Sequence, residues 1–134
     1  MKIINEELLS SITVKALESP RLRMNYNFHE YPDSKAQRLL NALEPGTVLP
    51  VHRHEFTSET YVVLRGSLKV LFYSNDKKLI SASEINPKEG VFGVDIPAGQ
   101  WHTIEVLETG TVIFEVKDGP YQPITEKDIL LVGE

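Results

Sequence analysis

The sequence contains no cysteine among its 134 residues. Disulfide frameworks and thiolate metal sites are therefore excluded, and a bound metal would have to use imidazole, carboxylate or water ligands. The chain also lacks an apolar run long enough to span a membrane. Its N-terminal residues, MKIINEELLSS, include acidic side chains where a secretory signal needs an uninterrupted apolar stretch. We therefore expect a cytoplasmic protein.

Basic residues are outnumbered by acidic ones. The chain has 14 Lys and Arg against 19 Asp and Glu, which gives a formal net charge of −5 and a pI near 5.4. An acidic surface disfavours non-specific binding to nucleic acid and docking on an anionic membrane. The composition is that of an ordinary globular domain, and the length is sufficient for one core. We expect a small molecule as the partner, with no nucleic acid and no membrane.

Hydrophobic periodicity divides this single predicted domain into three segments. Residues 1–20 predict a helix capped by Asn5, with an apolar stripe at Leu8, Leu9, Ile12, Ala16 and Leu17. Residues 21–118 contain short strand-like runs separated by turn residues. The predicted strands are 24–29, 38–43, 60–64, 68–73, 78–85, 91–96, 102–107 and 111–117. Residues 119–134 predict a polar tail with a helical turn around 125–131. This pattern indicates an all-β sandwich, jelly roll or barrel with a short N-terminal helix.

Three of the four histidines stand in two compact motifs. The first is a glycine, five residues, His-x-His, four residues, a glutamate, six residues and a glycine, at Gly46, His52, His54, Glu59 and Gly66. The second is Pro97-Ala98-Gly99-Gln100-Trp101-His102. Both resemble the signature motifs of the cupin superfamily, although Val106 stands where the second motif usually has an asparagine. The resemblance implies a double-stranded β-helix, or jelly-roll barrel, with a metal ion on His52, His54, Glu59 and His102.

The spacing of these residues has a physical reason. His52 and His54 are two positions apart, so on a strand they point to the same face. A turn and the next strand can return Glu59 to that face, and His102 arrives from a distant strand. Three neutral imidazoles and one carboxylate suit one divalent ion of Fe, Mn, Ni or Zn, and an octahedral ion would keep two positions open for water or substrate. Glu55 is an alternative ligand, but Glu59 has the motif spacing.

A longer set of residues resembles the WbuC-type cupin-fold metalloproteins. It comprises Arg23, Asn25, Asn27 and His29, the run from Gln37 to Gly46, and the segments 63–66, 93–97, 101–103 and 115–121. This resemblance covers about residues 5–128. It implies a metal-binding cupin linked to surface-polysaccharide biosynthesis, and it leaves the reaction open because none is established for the family.

Several polar residues are candidates for lining the pocket. Asn25, Asn27 and His29 alternate, so they share one strand face, which is either solvent-facing or the mouth of the pocket. Arg38 and Asn41 lie on opposite faces, so we expect only one of them to reach the pocket. An arginine there would bind a carboxylate or phosphate, and the alternative is a surface salt bridge. Asn25, Asn27, Arg38 and Asn41 are thus the candidate ligand-binding residues.

Two residues are candidates for acid–base catalysis, His29 and Tyr61. Tyr61 has the strand parity of Glu59, which predicts an aromatic hydroxyl near the metal, and the alternative is a core tyrosine with a satisfied hydroxyl. Trp101 is expected to face away from the metal because it is adjacent to His102. The apolar positions 68, 70, 72, 112, 114 and 116 are expected to form the core.

These features are compatible with two classes of function. One is a metal-dependent enzyme of isomerase, epimerase or oxygenase type that acts on a small polar or sugar-like metabolite. Its metal would polarise a carbonyl or hydroxyl group as a Lewis acid, or it would activate bound water or dioxygen. The other is a non-catalytic module in which the metal anchors a sugar or carboxylate, and the scarcity of general acids and bases favours it. A purely structural metal would instead predict a closed coordination sphere. We expect a homodimer, since two-fold assemblies are common.

Overall fold

The computed structural model describes residues 1–132, which form one helix, ten strands and two short 3-10 turns. The helix α1 spans Glu6–Glu18. The strands are β1 Arg23–Asn27, β2 Ala36–Leu43, β3 Val51–His52, β4 Glu59–Arg65, β5 Leu68–Tyr73, β6 Leu79–Ile85, β7 Gly93–Ile96, β8 Trp101–Val106, β9 Thr111–Asp118 and β10 Ile129–Leu130. The 3-10 turns are Pro87–Glu89 and Glu126–Asp128. The prediction of an all-β fold with an N-terminal helix is confirmed.

The strands form two antiparallel five-stranded sheets. The first has the order β1-β2-β9-β4-β7, and the second has the order β10-β3-β8-β5-β6. Apolar side chains from both sheets meet between them in one cluster, namely Leu43, Tyr61, Val63, Leu68, Val70, Ile85, Ile96, Ile104, Val106 and Ile113. Burying a large apolar side chain contributes about 1.5–3 kcal/mol, so this layer is the main source of stability.

Helix α1 begins where the sequence predicts. The Asn5 side chain accepts a hydrogen bond from the backbone N–H of Leu8 at 2.9 Å, and Glu6 and Glu7 lie in the first turn. The buried face of α1 packs on the outer face of the first sheet, in a cluster of Leu9, Ile12, Ala16, Leu40, Ala42 and Val112. Leu17 was expected in the apolar stripe, but it is 53% exposed. That part of the prediction is wrong, because the face of α1 that contacts the sheet is narrower than the predicted apolar stripe.

Arg65 at the end of β4 connects α1 to the barrel. Its Nε donates to the backbone oxygen of Gly110 at 2.8 Å. Its Nη1 donates to Glu6 at 2.9 Å and to Ser10 at 3.2 Å, and its Nη2 donates to Thr13 at 3.0 Å. The guanidinium fork therefore fixes the helix against the turn between β8 and β9.

Strand β9 is covered on both faces for part of its length. Val112 is buried under α1, whereas Ile113 is buried between the two sheets. Positions 112, 114 and 116 were expected to form the core, but Val116 is 37% exposed. It lies beside Arg38 and Thr60 in the sheet, outside the cluster that α1 buries. The expectation for Val116 is therefore wrong.

Residues 119–132, which were predicted to be a polar tail, include a short strand of the second sheet. The helical turn expected around 125–131 is a 3-10 turn followed by β10, which pairs with β3 so that Ile129 is the register partner of His52. The sequence pattern missed β3 and β10 because each has two residues. Within residues 1–132, no helix is both long and apolar enough to cross a membrane.

Candidate metal centre

The structure brings together the four predicted metal ligands. His52 is on β3, Glu59 on β4 and His102 on β8, while His54 follows β3 in the chain. His52 and His102 are direct register partners in the second sheet. The potential ligand atoms of the four side chains lie within 4.8 Å of one another. Atoms bound to one ion at about 2.0–2.2 Å lie within about 4.4 Å of each other, so small side-chain adjustments suffice.

Glu59 is at the centre of this group. One carboxylate oxygen, Oε1, lies 2.8 Å from Nε2 of His102, and Oε2 lies 3.6 Å from Nε2 of His54. The side chains of Glu59 and His102 are only 2% and 1% exposed. The alternative ligand Glu55 lies apart from the group and pairs with Lys127 at 3.2 Å. Glu59 is therefore the carboxylate that faces the imidazoles.

The backbone orients two of the imidazole rings. Nδ1 of His52 lies 2.9 Å from the carbonyl oxygen of Pro50, and Nδ1 of His102 lies 2.9 Å from that of Gln100. A carbonyl only accepts, so each Nδ1 carries the proton and donates it, which leaves the Nε2 lone pair for a metal. The contact between Nε2 of His102 and Glu59 then joins two acceptors, and it requires a positive ion, a proton or a metal, between them. The donor set thus fits a divalent cation.

Burial and the contacts among the ligands together determine which of these groups are charged. Burial, together with the nearby His102, lowers the pKa of His52 to about 4, and burial likewise lowers the pKa of His54. Burial alone would raise the pKa of Glu59, but the hydrogen bond with His102 and the proximity of His54 bring it to about 2. At neutral pH the site therefore presents neutral imidazoles at His52 and His54 and an ionised carboxylate, which are the forms that bind a metal.

Tyr61 is both a core residue and a neighbour of the metal ligands. Its side chain is 7% exposed, and its hydroxyl donates to Oε1 of Glu59 at 2.8 Å. Burial and the charges of Glu59 and Glu115 raise the pKa of Tyr61 well above its usual value. Tyr61 therefore stays protonated and positions Glu59. Trp101 is buried, and its Nε1 donates to Asn75 at 2.8 Å, away from the metal ligands as expected.

A polar cavity of about 350 Å³ opens beside the inner face of β1, β2 and β9, and we call it the asparagine cavity. Its lining includes Asn25, Asn27, His29, Asn41, Glu115 and Lys117. The three alternating residues of the β1 segment thus line a cavity mouth. Of the pair on β2, Asn41 lines the cavity, whereas Arg38 is exposed on the opposite face and does not line it. Strand alternation turns Arg38 outward, so ligand binding by Arg38 stays a prediction that the asparagine cavity does not support.

Glu115 and Lys117 are pocket residues that the sequence analysis missed. Glu115 is 8% exposed, and burial and the charge of Glu59 raise its pKa to about 7, against the opposing effects of Lys117 and of a hydrogen bond from Asn41. Nζ of Lys117 lies 3.9 Å from Oε2 of Glu115. Both residues alternate with the outer-face positions of β9. That alternation is visible in the sequence, but it does not show which face of β9 lines a cavity.

A second cavity of about 610 Å³, the C-terminal cavity, lies between the loop after β3 and residues 117–128. Its lining includes Arg53, His54, Phe56, Lys117, Tyr121 and Ile124. The ion pair between Arg53 and Asp128, at 3.1 Å, fixes the C-terminal wall. Lys117 and Tyr121 line both cavities, so the two cavities are neighbours, and His54 lines the C-terminal cavity.

Comparison with protein families gives one match. The model described as a domain of unknown function, DUF6016, matches residues 4–85, which is more than half of the chain. The chain belongs to the DUF6016 family. The match includes His52, His54 and Glu59 and stops before His102. No curated protein matches this DUF6016 sequence.

Solved structures match the fold of this DUF6016 protein. KdgF from Halomonas sp. has a TM-score of 0.60 and 16% identity over 78% of this chain and 84% of that chain. The cupin domain of Cnp3 from Schizosaccharomyces pombe has a TM-score of 0.57 and 9% identity over 72% and 64% of the two chains. The capsular polysaccharide assembling protein CapF from Staphylococcus aureus has a TM-score of 0.56 and 25% identity over 78% of this chain, which spans only 29% of CapF. The fold is the cupin jelly-roll barrel, as predicted.

Proposed function

We propose that this protein is a mononuclear divalent-metal cupin that acts on a small polar or sugar-like metabolite linked to surface-polysaccharide biosynthesis. The observation that carries the proposal is the convergence of His52, His54, Glu59 and His102 next to the polar asparagine cavity and to the C-terminal cavity, which His54 lines. The likeness to CapF, a capsular polysaccharide assembling protein, supports the link to polysaccharides. The resemblance to WbuC-type cupins points the same way.

The side chains around the metal ligands have distinct roles in this proposal. A bound divalent ion, Fe, Mn, Ni or Zn, would supply Lewis-acid polarisation of a ligand oxygen. Glu59 and the three imidazoles would hold the ion, and the Tyr61 hydroxyl would keep Glu59 in position. Glu115 lines the asparagine cavity, where its carboxyl group can exchange a proton with a ligand.

Elemental analysis of protein purified without a histidine tag tests the metal site. We expect near-stoichiometric Fe, Mn, Ni or Zn in the parent and its loss in His52→Ala. His29→Ala is the matched control, because His29 is the one histidine outside the cluster, and this variant should retain the metal. A parent that binds none of the four metals after reconstitution would contradict the proposal.

A second candidate function is a non-catalytic module in which the metal anchors a sugar or carboxylate. The observation that favours it is the hydrogen bond from the Tyr61 hydroxyl to Glu59. Tyr61 is a catalytic candidate, but its proton points at a metal ligand and not at a cavity. The other candidate, His29, has Nδ1 3.1 Å from both the backbone N and O of Arg38. A turnover screen of the metal-loaded protein against sugar phosphates and nucleotide sugars separates the two functions. A compound that raises the melting temperature without being consumed would support the module.

The assembly and location are further proposals. We propose a cytoplasmic homodimer, the dimer on the grounds of the frequency of two-fold assemblies. Sedimentation velocity of the purified chain tests the dimer, and a single species with the mass of one chain across the micromolar range would contradict it.

A further inference from the structure

Lys117 lies where the metal ligands and the two cavities meet. It is the register partner of Glu59 between β9 and β4, and its side chain lines both the asparagine cavity and the C-terminal cavity. The side chain is only 16% exposed. Nζ of Lys117 lies 3.9 Å from Glu115, and the charge of Lys117 lowers the pKa of His54, Glu59 and Glu115. A ligand entering from either cavity would therefore meet Lys117.

The ammonium group of Lys117 has donors to spare. Across residues 1–132 it makes no hydrogen bond, and its one ion pair is the long contact of 3.9 Å with Glu115. A lysine ammonium carries three N–H donors and no acceptor. Nζ of Lys117 is not among the fully buried atoms of residues 1–132 that lack a partner, so it reaches the cavity space, where its donors can meet an acceptor on a ligand.

The charge balance of the metal-loaded centre favours an anion. A divalent ion on three neutral imidazoles and Glu59 leaves one net positive charge. Lys117 adds a second positive charge, which Glu115 offsets only in its ionised form. The centre would thus be positive, although the whole chain has a formal net charge of −5. A positive, mostly buried centre attracts an anion more strongly than the solvated surface repels it.

The other carboxylates around the two cavities are paired or solvated. Asp128 pairs with an arginine at 3.1 Å, and Glu55 pairs with a lysine at 3.2 Å. Glu30 and Asp118 are exposed, so water and salt screen them. These residues leave the positive charge around Lys117 largely uncompensated.

We infer that Lys117 binds an acidic group, a carboxylate or a phosphate, on the sugar-like ligand of the proposed function. The inference rests on that proposed function and narrows its substrate class to acidic sugar derivatives. The hydroxyl groups of such a ligand would face Asn25 and Asn27, whose amides both donate and accept hydrogen bonds. Lys117 is thus a specificity-determining residue, distinct from the metal ligands.

Isothermal titration calorimetry of the metal-loaded protein tests the inference, with glucose 6-phosphate, glucuronate and glucose as probes. We expect the parent to bind at least one acidic probe at least tenfold more tightly than glucose. Lys117→Met should weaken that binding at least tenfold and leave glucose binding and metal content unchanged. Lys117→Arg keeps the charge and should retain most of the affinity. Lys15→Met is the matched control, since Lys15 is exposed on α1 and lines neither cavity, and its loss removes the same charge.

Metal content measured on the same samples separates the possible failures. Unchanged binding of the acidic probes by a fully metallated Lys117→Met variant would overturn the inference and leave the proposed function intact. A parent that binds neither acidic probe more tightly than glucose would also overturn it. A parent that holds no metal would overturn the proposed function itself. If glucose 6-phosphate and glucuronate differ in affinity, the probe that binds more tightly shows whether the acidic group of the ligand is a phosphate or a carboxylate.

Discussion

The metal-free Glu115→Gln variant should gain stability relative to the metal-free parent as the pH rises from 4.5 to 8. The quantity compared is the free energy of unfolding of the two proteins. Glu115 is 8% exposed, and burial raises its pKa from the ordinary 4.5 to about 7. Below pH 4.5 the carboxyl is protonated in both the folded and the unfolded chain. Between pH 4.5 and 7 the unfolded chain loses the proton and the folded chain keeps it, so the contribution of Glu115 to stability declines and then stays constant above pH 7.

The magnitude follows from the two pKa values. At about 1.36 kcal/mol per pH unit, a rise from 4.5 to about 7 corresponds to about 3 kcal/mol. Gln cannot ionise, and its amide has nearly the shape of the carboxyl. The unfolding free energy of Glu115→Gln minus that of the parent should therefore increase by about 3 kcal/mol across this pH range.

Urea denaturation of chelator-treated protein measures this difference. Trp101 is the single tryptophan of the chain and is 8% exposed, so its fluorescence reports unfolding of the barrel. Glu105→Gln is the control for the loss of a carboxyl group, because Glu105 is exposed on β8. A difference between Glu115→Gln and the parent that is constant from pH 4.5 to 8 would refute the reasoning that burial holds Glu115 protonated.

Three further substitutions give separate tests. Tyr61→Phe removes the hydroxyl that donates to the metal-ligand carboxylate, so metal affinity in a chelator competition should fall about 10–100-fold; an unchanged affinity would contradict the positioning role. Arg65→Met removes the hydrogen bonds to α1 and should lower the unfolding free energy by about 2 kcal/mol without changing metal affinity, and equal urea midpoints would argue against it. Gly66→Ala places a Cβ 2.7 Å from a backbone atom at φ +85°, whereas Gly90→Ala at φ +79° meets no atom within 4 Å. Gly90→Ala should cost about 1–2 kcal/mol and Gly66→Ala clearly more, and equal melting temperatures would contradict this.

The two motifs that contain the metal ligands could be recognised because the spacing within each motif is a local property of the chain. His52 and His54 are two residues apart, and Glu59 lies one turn further along. Glu115 and Lys117 could not be found in the same way. The apolar residues of β9 at 112 and 114 suggest one buried face, but α1 covers that face while the second sheet covers the other. A strand buried on both faces has no simple polar side, so the sequence pattern does not show which side lines a cavity.

The pocket lining depended on strand pairing in the same way. Alternation predicted that only one of Arg38 and Asn41 reaches the pocket, and it could not decide between them. The pairing of β2 with β1 and β9 places Asn41 beside Asn25 on the inner face and leaves Arg38 outside. Which face is inner depends on where α1 packs, because the helix buries the apolar side chains of the other face.

The sequence by itself determined the types of metal ligand, the capped helix α1 and the series of short strands. The lack of cysteine, the side chain of Asn5 and the period of two are properties of neighbouring residues, and they act before any distant contact forms. Only the tertiary structure decided that His102 lies opposite His52, that β10 completes the second sheet beside β3, and that Lys117 lies between two cavities. These arrangements come from long-range antiparallel pairing, whose register is fixed by burying one common core rather than by any single segment.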